Sequence, residues 1–570
     1  MEKDWAICTT SERHDPPDGL HPVTGRILAA RGISGPAAVA QFLKPSFVSM
    51  PDPFLLKGME GAVARLSSAR LSGEPVCVYG DYDVDGITST ALLVSFLTAC
   101  GISASYFIPN RFDDGYGLNS ESLKRIAAQG ARLVVTVDCG ISSLDEAQLC
   151  GELGVDLIIT DHHAPRETVP AAYAVINPHQ PGCPYPFKQL AGVGVAFNLA
   201  IALRQRLREE GVFSSGIEPD VREWLDLVAL GTIADVVPLI GQNRLYAYQG
   251  LRRLSEAKRP GVVELKRVAG IRDRVGSGSV GFRLAPRLNA AGRLESAVPG
   301  VQLLLTADTG TAAAIAGELD AANSERQAVE RSMLDEAVAM VESSGSYPEC
   351  RSIVLASRSW HQGVVGIVAS RLVERFHRPV ILVALDEEGE GKGSGRSIPG
   401  FDLLSSISSC SRHLLRFGGH RHAAGVGLKA GSIEGFAEEF EQEALQRLGG
   451  RELVPQLAID CQVEPGEVTA VLAGELKLLE PFGAGNPEPV LMMRSLRVAA
   501  RSVVGDGHLR LTLTRGGHTF SAIAFRMADR EIAACVDIAF FPEINSYNGS
   551  SRLQLKVRDI RPAVNDYAER

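Results

Sequence analysis

From Pro51 to about residue 250 the chain alternates short β-rich runs with longer stretches of helical period. VCVYG, ASYFIP, RLVVTVD and DLIIT read as strands, and TSTALLVSFLTAC, SESLKRIAAQG and SSLDEAQLCGELG as the helices between them. Parallel neighbours need a crossover connection, and a helix is the usual one. The alternation therefore predicts a parallel, doubly wound α/β sheet, which gathers its ligands in the crevice outside the strand carboxyl ends.

At 570 residues the chain exceeds what one hydrophobic core usually organises. Residues 1–50, punctuated by proline, read as an N-terminal cap, and 51–305 as the first α/β domain. Thr309 to Ser343 lacks proline and is rich in Ala, Glu and Arg, which predicts one connecting helix within 306–343. Residues 344–450 resume the α/β alternation, heavily loaded with glycine. Beyond Arg451 short alternating strands such as HLRLTLTR, HTFSAIAFR and VDIAFFPEI take over, with an Asn548-Gly549 hairpin turn, and predict an OB-like β-barrel over 451–570. No apolar run reaches the roughly 18 to 20 residues of a membrane span, and the first residues show no signal pattern. The ten cysteines are scattered without a CxxC pair, so a reduced cytoplasmic protein is expected. With a net charge of −9, any polyanionic partner must be held by a local arginine surface.

Carboxylates follow the strands directly. VCVYG runs into Asp81-Tyr82-Asp83-Val84-Asp85-Gly86, RLVVTV into Asp138-Cys139-Gly140, and DLIIT into Asp161-His162-His163. A fourth acid, Asp235, lies in the apolar segment LDLVALGTIADVVPL, where an unpaired carboxylate would be costly to bury. One Asp after a strand is an ordinary helix cap. Several converging on one crevice repel one another unless a cation sits among them. Oxygen-rich sets with an imidazole or two suit Mn²⁺ or Mg²⁺. Two such ions bridged by a shared carboxylate, for which Asp138 is the candidate, support in-line phosphoryl displacement.

Two glycine loops, GSGR at 393–396 and FGGH at 417–420, set Arg396, Ser397 and His420 beside backbone amides that can approach a phosphate closely. Arg283, Arg287 and Arg293, with Asn289, fall on a glycine- and proline-broken segment, which predicts a phosphate-tracking loop rather than a regular helix. In the last domain Phe525, Phe540, Phe541 and Tyr547, with Lys556 and Arg558, offer a stacking and charge surface, although most such aromatics belong to a core.

DYDVDG, VDCGIS, DHH and GTIADVVPL resemble, in order, the four motifs of the DHH phosphoesterase superfamily. GFRLAPRLNAAGRL, HQGVVGIVASRL, GSGRSIPGFDL and FGGHRHAAG extend the resemblance to the RecJ nucleases and their DHHA1 domain, so it spans nearly the whole chain. The resemblance implies a 5′ to 3′ single-stranded-DNA exonuclease of repair and recombination, with two Mn²⁺ or Mg²⁺ ions. It implies Asp81, Asp83, Asp85, Asp138, His162 and Asp235 as metal ligands, and Asp138, His162 and His163 as the catalytic set, with His163 facing the scissile phosphate. Arg111 would hold the terminal 5′ phosphate. A helicase and a single-strand binding protein would be partners of a monomeric enzyme. Two alternatives are a DHH phosphodiesterase for short oligonucleotides and a non-catalytic replication scaffold of the Cdc45 kind.

Overall fold

The computed structural model of the protein describes residues 3–8, 19–110, 117–214, 216–450, 452–547 and 550–563. Strand β1 (Asp4–Ile7) and helices α1 (Pro22–Ala30), α2 (Pro36–Leu43) and α3 (Met59–Ser72) lead into the first domain. There β2 (Val76–Gly80), α4 (Val84–Ala99), β3 (Ala104–Phe107), α5 (Ser120–Ala128), β4 (Leu133–Val137), α6 (Leu144–Glu152), β5 (Asp156–Thr160) and β6 (Ala174–Ile176) alternate as expected. The sheet order is β3-β2-β4-β5-β6, and every pairing is parallel. From β2 the chain steps outward to β3 and then crosses back to β4, on the other flank of β2. The carboxyl ends of β2 and β4 are thus the topological switch point, where a crevice opens without any loop having to make way.

Helix α7 (Gly192–Glu209) packs on the sheet, and α8 (Leu225–Ala234), α9 (Gly241–Glu256) and α10 (Pro260–Val268) build outward on other helices and extend the same large apolar core. Residues 280–294, predicted as a loop, are helical: a π turn over Val280–Leu284 runs into an α-helix over Ala285–Leu294. Pro286 stands in that helix's first turn, where its missing N–H costs nothing, so the proline that suggested a break is compatible with a helix start.

Thr309–Ser343 is one helix of 35 residues, about 52 Å long at 1.5 Å per residue. Its first half buries Ala312, Ile315, Ala316 and Leu319 in the first core, and its second half buries Met333, Ala337, Val338 and Val341 in another. The domain beyond is a mixed sheet, β10-β11-β9-β8-β7, made of β7 (Ile353–Ser357), β8 (Val380–Leu385), β9 (Glu390–Arg396), β10 (Arg416–Gly419) and β11 (Ala423–Lys429).

The C-terminal sheet rolls up. β14 (Leu491–Val504), β15 (His508–Arg515), β16 (His518–Ala524), β17 (Cys535–Tyr547) and β18 (Ser550–Pro562), preceded by β12 (Gln456–Ile459) and β13 (Cys461–Gln462), form a barrel closed by the β14–β17 pairing. The Asn548-Gly549 turn lies outside the described residues. The N-terminal segment belongs to this barrel as much as to its sequence neighbour. β1 pairs in parallel with β12, and Val23, Ile27, Leu28 and Val39 enter the barrel core. Arg244 of α9, 2% exposed, ties the three parts together by donating to the carbonyls of Phe42, Leu479 and Glu480. Among the described residues no helix is long and apolar enough to cross a membrane.

Candidate metal centre

Asp81 follows β2 and is buried at the switch point. Asp83 caps α4, its Oδ1 accepting from the amides of Asp85 at 2.9 Å and Gly86 at 3.1 Å. One helical step on, Asp85 is buried and accepts from the amides of Gly192 at 2.6 Å and Val193 at 2.8 Å, the first amides of α7. The positive end of that helix is what tolerates a carboxylate so deep. Asp138 follows β4, and Asp235 sits at the end of α8.

Oxygen and nitrogen atoms of Asp81, Asp83 and Asp138 lie within 4.8 Å of one another, and so do those of Asp85, His162 and Asp235. Asp138 connects the two groups, because its Oδ1 is 3.1 Å from His162 Nε2. His162 Nε2 also lies 3.5 Å from Asp235 Oδ2 and 4.0 Å from Asp85 Oδ2. Asp138 Oδ1, His162 Nε2 and Asp235 Oδ2 are nevertheless buried atoms that make no hydrogen bond among the described residues. Burial pushes the His162 ring down to about 4, so it is a neutral imidazole, and the Leu190 backbone hydrogen-bonds it. Burial, with the repulsion of Asp83, pushes Asp85 up to about 7, and burial with the repulsion of Asp85 and Asp83 pushes Asp235 up to about 9. Asp138 is raised well above the carboxylate range, by burial first and its acidic neighbours second. Asp138 Oδ1, His162 Nε2 and Asp235 Oδ2, which receive no hydrogen bond among the described residues, fit a divalent cation, and hard oxygens around one imidazole fit Mn²⁺ or Mg²⁺.

His163 differs from its neighbour. Its burial disfavours charge, but the hydrogen bond from Nδ1 to Asp161 Oδ1 at 2.7 Å, with the attraction of Asp161, Asp235 and Asp81, outweighs that and holds it up to about 9. Asp161 is itself fixed by the amides of His162 at 2.7 Å, His163 at 3.0 Å and Ile141 at 2.9 Å. In the sequence it is simply the first residue of DHH; in the structure it holds the protonated His163 ring in place.

The backbone is strained at two of these positions. Asp138 has φ 63°, and Val236, directly after Asp235, has φ 60° while 69% exposed. Non-glycine residues in the left-handed region cost energy and cluster at functional sites. Gly192 completes the wall: a Cβ there would stand 2.6 Å from Asp138 Oδ1 and 2.7 Å from its Cβ. Gly192→Ala is therefore expected to displace Asp138 and weaken Mn²⁺ binding by about tenfold to a hundredfold, with the fold retained by circular dichroism. Mn²⁺ binding at the unmodified affinity would show that Asp138 need not stand where it does.

The expected substrate side chains separate. Asn289 and Arg293 line a cavity of about 610 Å³ that also touches Ala234, beside Asp235. Arg287 is held instead by Asp320 at 2.8 Å, and Arg283 donates to the Ala269 carbonyl, so both brace their helix against its neighbours. Arg396 ends β9 and donates to Ser394 Oγ at 2.8 Å; the Ser397 N–H donates to the His422 carbonyl at 3.1 Å, and His420 is exposed across the β10–β11 turn. Arg111 lies outside the described residues. In the barrel Phe540 and Phe541 are core, Phe525 is half exposed, and Lys556 and Arg558 are both paired with Glu488. The side chain of Tyr547 is not described.

Three family descriptions match the chain: the DHH family, N-terminal domain, over residues 75–232; the DHHA1 domain over 351–446; and the RecJ OB domain over 459–559. The single-stranded-DNA-specific exonuclease RecJ of Bacillus subtilis is 40% identical over 95% of this chain and 68% of its own length. That of Escherichia coli is 40% identical over 97% of this chain and 98% of its own. The crystal structure of RecJ from Thermus thermophilus in complex with Mn²⁺ superposes with a TM-score of 0.83 at 33% identity, covering 98% of this chain and 80% of that one. With identity at this level running through all three domains, the chain belongs to the RecJ family.

Proposed function

We propose that the protein is a metal-dependent exonuclease that hydrolyses single-stranded DNA from the 5′ end, releasing 5′ mononucleotides in DNA repair and recombination. The observation that carries this is the set of buried atoms on Asp138, His162 and Asp235, without a hydrogen-bond partner among the described residues, at the switch point of the sheet in a chain whose relatives are named single-stranded-DNA-specific exonucleases. Asp81, Asp83, Asp85, Asp138, His162 and Asp235 would hold two divalent ions, Mn²⁺ or Mg²⁺, with Asp138 shared. Bound there, the ions supply an activated water and neutralise charge on the attacking and leaving oxygens.

The chain's own residues do the rest. Protonated His163, locked by Asp161, offers a charged donor to a phosphate oxygen. Asn289 and Arg293 steer the strand into the crevice from one side, while Arg396, Ser397 and His420 supply an anion pocket from the second α/β domain. Arg111, after β3, would cap the path by holding the terminal phosphate, which gives the polarity. The working unit of this reading is a monomer. A helicase that makes single strands and a protein that coats them are the partners this chemistry needs, and family membership supports them.

Neither alternative fits as well. A non-catalytic scaffold has no use for a complete set of repelling buried acids, and a phosphodiesterase for short oligonucleotides needs no barrel of a hundred residues matched to the RecJ OB domain. The test uses a single strand labelled at either end, with Mn²⁺, beside the same strand in a blunt duplex. Early release of the 5′ label as mononucleotide, and slow attack on the duplex, is expected. Release of the 3′ label first would overturn the polarity, and attack confined to dinucleotides would favour the phosphodiesterase.

A further inference from the structure

Phe282 is 84% exposed, the most exposed large aromatic among the described residues. It stands in the π turn Val280–Leu284, and such turns are rare insertions that re-aim side chains and recur at functional sites. Its surroundings give the exposure a purpose. Phe282 lines the 610 Å³ cavity that reaches Ala234 and Asn289 beside the acid cluster. It also lines a second cavity of about 570 Å³, whose far wall in the C-terminal region is Phe482 with Lys556 and Arg558, both paired there with Glu488. One aromatic face therefore stands where the two cavities meet, between the barrel and the metal crevice.

The charge around it selects the occupant. The first cavity carries Arg293, Arg331 and Arg526 besides Arg326 and Arg371, the last two paired with Glu330, its one acid among the described residues. Arg526 comes from the barrel, directly after half-exposed Phe525, and its backbone is left-handed at φ 56°. A flat apolar surface ringed by excess positive charge suits a polyanion that presents flat apolar groups, which is an unpaired nucleic acid strand. A duplex hides its bases and cannot use the ring.

We infer that Phe282 is a stacking platform for one unpaired base of the strand that passes from the barrel to the metal crevice, and that it sets how well a long strand is held there. The inference rests on the exonuclease reading above and adds to it a specific residue and base contact. Loss of base stacking on an aromatic weakens binding by a factor that averages about tenfold or more per base.

The experiment compares Phe282→Ala and Phe282→Trp with the unmodified protein on two substrates, a 20-residue single strand and the p-nitrophenyl ester of thymidine 5′-phosphate, which has no second base. In Phe282→Ala the ratio of strand to ester hydrolysis is expected to fall about tenfold, through KM rather than kcat, and Phe282→Trp should restore it. Strands with 2-aminopurine at successive positions should show one position quenched by the unmodified protein and bright with Phe282→Ala. An unchanged ratio and an unchanged quench pattern, in a protein that degrades the strand normally, overturn the stacking assignment and leave the exonuclease reading intact. Failure of the unmodified protein to degrade the strand overturns the exonuclease reading, and this inference with it. Because the side chain is exposed, the melting temperature should be the same in all three proteins, which excludes a loss through unfolding.

Discussion

Asp138→Asn is expected to lower hydrolysis of a single strand by at least about a thousandfold while leaving the metal-free protein folded and no less stable. The substitution keeps the volume of the side chain and removes its charge. Asp138 is 2% exposed, and its Oδ1 lies 3.1 Å from His162 Nε2 with no hydrogen bond between them. It stands between the Asp81 and Asp83 side and the Asp85, His162 and Asp235 side of the cluster, so neutralising it weakens the hold on both. Without ions the same change relieves repulsion, since burial and the charges of Asp85, Asp83, Asp235 and Asp81 all disfavour the carboxylate there. The diagnostic result is therefore a pair: activity lost, and the melting temperature in EDTA equal or higher than that of the unmodified protein. The stabilisation that Mn²⁺ gives the unmodified protein should shrink in parallel. A variant that keeps a tenth of its activity would remove Asp138 from the centre of the chemistry, and one that unfolds in EDTA would make it a structural residue.

Much of this site was readable before any coordinates, because the information is local. A strand ending in Asp places that Asp at a sheet edge, and the sheet order then brings Asp81 and Asp138 together at adjacent strand ends. The connecting helix was equally plain, since 35 residues without proline admit little else. What escaped depends on partners distant in sequence. Nothing in residues 22–43 says that Val23 and Val39 pack against the barrel some 450 residues away rather than the adjoining domain. Glycines and a proline around Arg287 suggested a loop, but the segment is held helical by its neighbours, with Arg287 spent on Asp320. Gly192 looks like any helix start until its amide is seen on Asp85 and its missing side chain against Asp138. Phe282 carries no signal of its own in the sequence, and only the π turn and the two cavities reveal that it faces outward.

In EDTA the protein should lose stability as pH rises from 6.5 to 8.5, and Mn²⁺ should cancel the loss. Unfolded carboxylates have shed their protons above about 4. In the fold, burial and mutual repulsion hold Asp85 up to about 7 and Asp235 up to about 9, and His163 keeps its proton to about 9 against an ordinary 6.5. In all three the folded value lies above the unfolded one, so the native state binds more protons in this window and stability falls as pH rises through it. His162 acts oppositely, being lowered to about 4, but only between that value and 6.5, so below 6.5 the contributions are mixed and the window above it is the clean one. A fall on the order of 5 °C in the first melting transition is expected across the window. Divalent ions bind the deprotonated ligands and release the protons that the native state had kept, so saturating Mn²⁺ should raise the transition more at pH 8.5 than at 6.5. Asp138→Asn should flatten both trends. A transition in EDTA that stays level or rises with pH, or an equal Mn²⁺ increment at the two ends, would mean that these acids do not face one another across a shared cation site, and the two-ion reading would fall with them.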